Sequence, residues 1–428
     1  RSGLGGDGSA VLSEKKIIIY FYNRLFDPVI QSNFWLYIQE LLDDPQNPYS
    51  FHVVTYEDNE APLTPAQQDL VRRWKAQGVG WTALEWHRGA SLSKKLQDLL
   101  AGFLAVLKLR MQGYRYITSL NSVAGAFAYL YSLVLGLRLY MYQYEPHSEY
   151  AIDNGIWAKE SRQFKITNFL ERKSAHFASV ISSGTRFMEQ RLTKDWKVSA
   201  KFFKIPSVAN SDKFKFDPLV REEMRKSLGI EHRWVLLYPG KFGDLYYKEE
   251  FAYMFGWLLD LEPKLFLLIV TPHTDEEVHN LLAVANIPRD AYCVCHSGYD
   301  EIQRYYFAAD FGIISVPPGP SKKFISNIKV GEYLCAGLPY LVTRGVSEDY
   351  IYAEEQNVGV VVDDFVEDEV VGVWPKMKEL LTQDPEARRA HCRQVGLEYR
   401  GFENLYPRVK AAFAALVDEG PNSFRGVS

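Results

Sequence analysis

The sequence predicts an α/β protein built from two parallel sheets, each covered by helices and facing the other across a cleft. Three observations carry that reading. The chain has 428 residues, too many for one ordinary core at roughly 150 residues per domain. Short β-rich runs alternate with longer amphipathic stretches, the signature of strand–helix–strand crossovers in a parallel sheet. The alternation occurs twice, on either side of a polar stretch that begins near residue 210.

In the first half the β-rich runs are 17–22, 51–55, 114–119 and 137–142. In the second they are 234–238, 265–270, 292–295, 311–315, 340–343 and 358–362, and 385–418 is long enough for two further helices. The division is therefore a first domain over 14–210, a second over 211–395, and a C-terminal helix within 396–428 that returns to the first domain before a tail. Residues 1–13 are Gly/Ser-rich without an apolar core and are set apart as a tag or disordered tail.

Composition narrows the function. At 47% hydrophobic and 24% charged the chain is a folded one. Its 49 Lys+Arg against 53 Asp+Glu leave a net charge of −4, without the basic excess of a protein that wraps nucleic acid. No stretch reaches the roughly 18 uninterrupted apolar residues of a membrane span; the nearest, 123–142, is broken by Ser132, Gly136 and Arg138. The expectation is a soluble, cytoplasmic protein. Cys293, Cys295, Cys335 and Cys392 lack the two-pair spacing of a zinc site and read as reduced, buried thiols. The 9 Trp, 27 Tyr and 25 Phe exceed ordinary needs; most belong in cores, and some suit sugar or base sites. Among them Tyr142, Tyr144 and Tyr150, and the pair Tyr246-Tyr247, sit in candidate loops.

Ligands of open parallel sheets bind beyond the carboxyl ends of the strands, so the loops there come next. After the run ending at Tyr238 stands Pro239-Gly-Lys-Phe-Gly-Asp244. Gly240 lets the backbone approach an anion, and Lys241 and Lys248 offer point charges to a diphosphate. The loop is neither G-x-G-x-x-G nor a Walker loop, which removes most support for a dinucleotide oxidoreductase or an ATPase. A β–α turn with surface lysines is the plain alternative. Further on, a Pro/Gly/Ser/Lys loop from Ser315 opens a short helix near Ser326 or Asn327, whose free N–H groups suit phosphate oxygens. Glu332 lies inside that helix, where a carboxylate can accept two hydrogen bonds from a ribose diol.

Ser326-Asn-Ile-Lys-Val-Gly-Glu-Tyr-Leu-Cys-Ala-Gly-Leu-Pro-Tyr-Leu-Val-Thr343 resembles the donor-site segment of glycosyltransferase family 4 and its GT-B relatives. In the same order, Ala178 to Ser183 resembles the family's strand before a serine turn, Lys204 to Phe214 its interdomain stretch, and Tyr238 to Gly243 its diphosphate loop. The resemblance implies the GT-B fold, two Rossmann-like domains with parallel sheets facing across a cleft. It also implies a retaining transferase that moves a sugar from a nucleotide-diphosphate donor to a glycan, lipid-linked or small-molecule acceptor, in bacterial surface polysaccharide or glycoconjugate assembly. The donor is a substrate, and no cofactor is implied.

Carried over residue by residue, Glu332 matches the second glutamate of the family's E-x7-E motif. Phe324 stands where the first would be, as in a branch with Ser and Lys residues ahead of the remaining Glu, here Ser326 and Lys329. The implied donor set is Gly240, Lys241, Lys248, Ser326, Lys329 and Glu332, with His296 beside the nucleobase. His147, in Tyr142-Gln-Tyr-Glu-Pro-His-Ser-Glu149, is the counterpart of the family's cleft histidine and joins Lys241 and Glu332 as catalytic candidates. Glu149 is read as a base, a sugar ligand or a fold contact and grouped with the acceptor contacts Asn23, Arg24 and Gln31. No Asp-x-Asp stands at a strand end, so no metal is expected; lysines and helix N–H groups then stabilise the leaving phosphate. Retention without an evident nucleophile implies front-face attack, a phosphate oxygen taking the acceptor proton. The apolar helical patterns 101–111 and 123–135 read first as core helices and second as a peripheral membrane contact placing the protein at the inner face of a membrane. Two alternatives stay open: a nucleotide-sugar epimerase or hydrolase, and a catalytically silent nucleotide- or glycan-binding protein, to which Phe324 lends weight.

Overall fold

The computed structural model describes residues 14–58, 60–87 and 92–418; the segment 1–13 read as a tail lies outside them. The first sheet has seven parallel strands: β1 (Lys15–Tyr20), β2 (Tyr49–Glu57), β3 (Gly80–Glu85), β4 (Tyr116–Leu120), β5 (Arg138–Tyr142), β6 (Val180–Ser183) and β7 (Lys201–Lys204). Their order is β3-β2-β1-β4-β5-β6-β7. The second has β8 (Trp234–Pro239), β9 (Leu265–Val270), β10 (Tyr292–Cys295), β11 (Phe311–Ile313), β12 (Tyr340–Thr343) and β13 (Gly359–Val362), parallel in the order β10-β9-β8-β11-β12-β13. Each sheet thus starts from an inner strand, winds to one edge, and returns to wind to the other. The reversal falls between β1 and β4 in one sheet and between β8 and β11 in the other, and ligands of such sheets collect at that crevice.

The central strands are the ones the sequence displays most openly. In β9 all six residues of Leu-Phe-Leu-Leu-Ile-Val are buried, because helices cover both faces of an inner parallel strand and demand an unbroken apolar run. β3 and β7 escaped the sequence reading for the converse reason. They are the two edges of the first sheet, and neither Gly-Trp-Thr-Ala-Leu-Glu nor Lys-Phe-Phe-Lys contains a fully buried residue.

The two sheets are joined by a seam rich in polar contacts. The last helix, Phe402–Val417, leaves the second sheet and buries Leu405, Val409, Ala412, Phe413 and Leu416 in one core with Ile17, Phe51 and Tyr140 of the first. Just before it, Arg400 is completely buried and donates to Asp349 Oδ1 at 2.6 Å, to the Ser207 carbonyl at 3.0 Å and to the Asn327 carbonyl at 3.2 Å. Glu348, also buried, accepts from Lys204 Nζ at 2.6 Å and Arg186 Nε at 3.0 Å. Asp153 accepts from the Ser321 amide at 2.7 Å. Phe324 inserts into the first domain's core with Met188 and Leu192, and the Arg191 guanidinium lies 3.9 Å from its ring centre.

Several aromatic and thiol expectations change in three dimensions. Tyr142 and Tyr144 are core residues with no exposed surface; their hydroxyls donate to Asn33 Oδ1 at 3.3 Å and to the Glu171 carbonyl at 2.8 Å. Tyr247 stacks on Phe365 at 4.3 Å and donates to Asp364. A Tyr in a core needs such a partner for its hydroxyl, and these partners come from distant segments. Cys335 and Cys392 are buried, whereas Cys293 and Cys295 are only half-buried, their Sγ atoms 3.6 Å apart on one side of an edge strand.

Candidate active site at the carboxyl ends of the second sheet

The carboxyl ends of β8, β9 and β10 and the helix after β11 enclose an open cavity of about 900 Å³. Its wall includes Gly240, Lys241, Tyr246, Thr271, His296 and Lys329. Each arrives by a local device. Gly240 follows β8 and its amide donates to the Val270 carbonyl at 2.9 Å, so the loop leaves the sheet tight against β9. A Cβ on Gly240 would lie 3.1 Å from Lys329 Nζ; the glycine makes room for that ammonium. Asn327 caps the Ile328–Cys335 helix by accepting from the Lys329 amide at 3.1 Å, which fixes Lys329 in the first turn. The Lys329 ammonium then sits 4.4 Å from the Tyr246 ring centre, a cation–π contact that holds it without neutralising it.

One turn further along, Glu332 is 7% exposed and accepts from the Tyr306 hydroxyl at 2.5 Å. Burial raises its carboxyl to about 7, against opposing pulls from Tyr306, Lys329 and Lys213. His296 lies at the rim, its ring nitrogens 2.8 Å from the Thr271 carbonyl and 2.8 Å from Asp275 Oδ1. The Asp275 hydrogen bond raises its imidazole above the ordinary value. The cavity combines two ammonium groups, a histidine and backbone near a glycine, and the buried Glu332 carboxylate lies on the helix that supplies Lys329. That set fits an anionic diphosphate attached to a diol-bearing group.

In the first domain a smaller cavity of about 260 Å³ opens at the carboxyl ends of β1, β4 and β5. Tyr22, Asn23, Asn121, Glu145, His147 and Tyr150 line it. His147 packs edge-on against Trp157, and burial there holds its imidazole below the ordinary value. The sequence reading passed over Glu145. Tyr150 donates to it at 3.2 Å, and burial raises its carboxyl to about 7, with hydrogen bonds from Tyr150 and the Ser326 amide opposing. Ser326 precedes the helix that carries Lys329, so Glu145 ties the small cavity to the loop before that helix. The sequence signal for it was its place just after β5; the contact with Ser326 belongs to the assembled molecule.

Four of the expected contacts are engaged elsewhere, and a fifth, Lys248, stands outside the cavity wall. Arg24 donates to the Ala61 carbonyl at 2.6 Å and Gln31 to the Leu25 carbonyl at 2.7 Å, so both brace the loop after β1. Glu149 pairs with Arg191 at 2.7 and 3.1 Å and holds the guanidinium over Phe324, a fold contact. Ser326 accepts from the Ser207 amide at 2.8 Å, and its carbonyl receives the Ser207 hydroxyl at 2.8 Å; its hydroxyl serves the seam. Lys248 is exposed, stands at the start of the Glu249–Leu261 helix and is not among the residues that line the cavity. Tyr306, which orients Glu332, comes from a helix outside every motif.

Two parallel sheets with reversal crevices on facing domains define the two-domain GT-B fold. No protein-family model and no curated protein matches the sequence. Among solved structures, the HepE protein of Anabaena, determined with UDP, superposes with a TM-score of 0.65 at 12% identity, over 94% of this chain and 100% of its own. Sucrose-phosphate synthase from Thermosynechococcus elongatus gives 0.68 at 13%, over 94% and 99%. WaaG, a glycosyltransferase involved in lipopolysaccharide biosynthesis, gives 0.62 at 16%, over 94% and 99%.

A ribose diol held by Glu332 would make binding depend on pH, because burial raises that carboxyl to about 7. A ribose diol donates to the charged form, and that form is complete only above about 7. Calorimetry with UDP-glucose is expected to show binding that weakens as pH falls from 8 to 6, approaching about tenfold per unit when only the carboxylate binds. Glu332→Gln should bind weakly and with a flat pH profile; an unchanged slope in that variant would detach Glu332 from the donor.

Proposed function

We propose that the protein is a glycosyltransferase, moving a sugar from a nucleotide-diphosphate donor to a carbohydrate, lipid-linked or small-molecule acceptor with retention of configuration. The observation that carries this reading is the convergence of Gly240, Lys241, Tyr246, His296 and Lys329 on one cavity with Glu332 behind it. Support also comes from HepE, which has been determined with UDP, with UDP-glucose, and with UDP and glucose. UDP-glucose is accordingly the first donor to test.

In this reading the ribose hydroxyls donate to Glu332, and the diphosphate lies between Lys241 and Lys329. As the bond from the anomeric carbon to the phosphate oxygen breaks, charge grows on that oxygen, and the two ammonium groups stabilise it without a metal or cofactor. The acceptor hydroxyl enters from the cavity of His147 and Glu145 on the same face of the sugar. Its proton passes to the departing phosphate oxygen while its own oxygen bonds to the anomeric carbon. Placement in the cytoplasm, where nucleotide sugars are drawn upon, belongs to the same proposal.

The test has two stages. Thermal shift against UDP-, GDP-, ADP- and TDP-sugars identifies the donor, since a ligand bound only by the folded state raises Tm. The bound donor is then incubated with glycoside and lipid acceptors in EDTA, and the anomeric centre of the product is assigned by NMR. The expected product has the donor's configuration. Inversion would sink the mechanism, and complete loss of turnover in EDTA would sink metal independence. Conversion of donor without acceptor would favour an epimerase or hydrolase, and tight binding without turnover a silent binding protein.

A further inference from the structure

Three helices cover one face of the first sheet: Leu92–Met111, Asn121–Leu135 and Arg162–Phe177. Their inner sides already fill a core, through Val106, Leu109, Ala124, Ala128, Tyr131 and Ala175. Their outer sides are apolar as well. Nine of the nineteen large apolar side chains that stand exposed among the described residues lie on these helices. Leu96, Leu100 and Leu104, 63%, 57% and 56% exposed, follow one another at four-residue steps and so form a single stripe. Ile166 and Phe169, at 61% and 57%, form a shorter one on the third helix. Packing against the sheet does not require either stripe.

The charges on the same helices are one-sided. Their only two acids, Asp98 and Glu171, are buried, whereas Lys108, Arg162, Lys165, Arg172 and Lys173 remain at the surface. A chain of net charge −4 thus carries three helices with exposed leucines, a phenylalanine and cations, and with no exposed carboxylate of their own. Apolar side chains that enter the interfacial zone beside cations that meet phosphate headgroups are what an anionic bilayer surface selects. No helix among the described residues is long and apolar enough to cross a membrane, so this contact lies on the surface.

We infer that the outer faces of these three helices seat the protein on an anionic lipid bilayer. The position of the face adds a consequence, which rests on the proposed transferase activity. The first helix reaches the small cavity: Lys95 Nζ donates to the Tyr22 hydroxyl at 2.7 Å, and that hydroxyl donates to Asp98 at 2.5 Å. Tyr22 lines the cavity that holds His147 and Glu145. An acceptor anchored in the bilayer therefore has a short path to the reacting end of the site.

The test reads vesicle binding and not sugar transfer, so it stands apart from the activity assay. The full chain is sedimented with phosphatidylcholine vesicles and with vesicles in which phosphatidylglycerol replaces part of the phosphatidylcholine. Binding is expected only to the second and should weaken as salt is raised. The double variants Leu100→Glu/Leu104→Glu and Lys165→Glu/Lys173→Glu should each bind at least about tenfold more weakly, with unchanged circular dichroism. Failure to bind anionic vesicles, equal binding to neutral ones, or variants that bind like the parent would overturn the inference. So would self-association that the leucine variants abolish, since the face would then be an interface between copies of this chain.

Discussion

Lys329→Ala is expected to lower kcat by about 10²–10³-fold, the cost of removing one preorganised charge from a developing oxyanion. The size of the effect follows from how this lysine is held. Its backbone is pinned by the Asn327 cap, its ammonium lies over the Tyr246 ring, and the glycine at 240 leaves the space it occupies. The half-buried ammonium acts where water screens it less than it screens the exposed Lys241. Lys241→Ala should accordingly cost less. Steady-state rates of nucleotide release with UDP-glucose, compared with UDP-glucose affinity by calorimetry, separate the roles. A fall in kcat larger than the fall in affinity marks transition-state stabilisation, whereas equal falls mark uniform binding. Lys329→Arg should recover part of the binding but little of kcat, because a planar guanidinium cannot reproduce a point charge at that spot.

Asp349→Ala is expected to destabilise the protein by about 3–5 kcal/mol, since it leaves the Arg400 guanidinium buried without its counter-ion. Neither side chain has any exposed surface, and the pair is 2.6 Å apart. Burial pushes the Asp349 carboxyl up and Arg400 pulls it back, so the pair persists through mutual compensation. Thermal unfolding should show a fall in Tm on the order of 10 °C. The double variant Asp349→Leu/Arg400→Met should be less destabilised than the two single losses added together, because the uncompensated charge goes with its partner. Additive losses would show that the two side chains act independently. Arg400 also donates to Ser207 and Asn327, so weaker UDP-glucose binding is expected alongside the stability loss, as the cap of the Lys329 helix loosens.

The parts of the site that were legible in the sequence are those built from consecutive residues. Gly240-Lys241 announces itself because a strand must end and a backbone must approach an anion within two positions. Lys329 and Glu332 are visible together because three residues on a helix put both on one side. The inner strands are legible for the same reason of local necessity: burial on both faces forces an apolar run, and β9 and β12 appear at their observed limits. Edge strands carry no such compulsion, and β3 and β7 were missed.

Side-chain partners were the other gap. A loop histidine, arginine or glutamine looks equally fit for a ligand or for a carbonyl, and the choice depends on which distant segment arrives beside it. Arg24 found Ala61, Gln31 found Leu25, Glu149 found Arg191 and Ser326 found Ser207. Glu145 passed unnoticed because its connection to the second domain is a hydrogen bond from a residue 181 positions later in the chain.

By itself, then, the sequence determined the α/β class and two parallel sheets, and it displayed the glycine–lysine and helix elements on which the proposed diphosphate site rests, because strand burial and helix periodicity are written in neighbouring residues. Only the tertiary structure decided which polar side chains face the cavity and which lock the seam. It also turned the absent motif acid at Phe324 into a buried anchor beneath Arg191. The physical reason is that a buried polar group must find a partner, and an apolar ring must find cover, wherever the fold supplies one. That requirement is met across space, between segments that no local pattern connects.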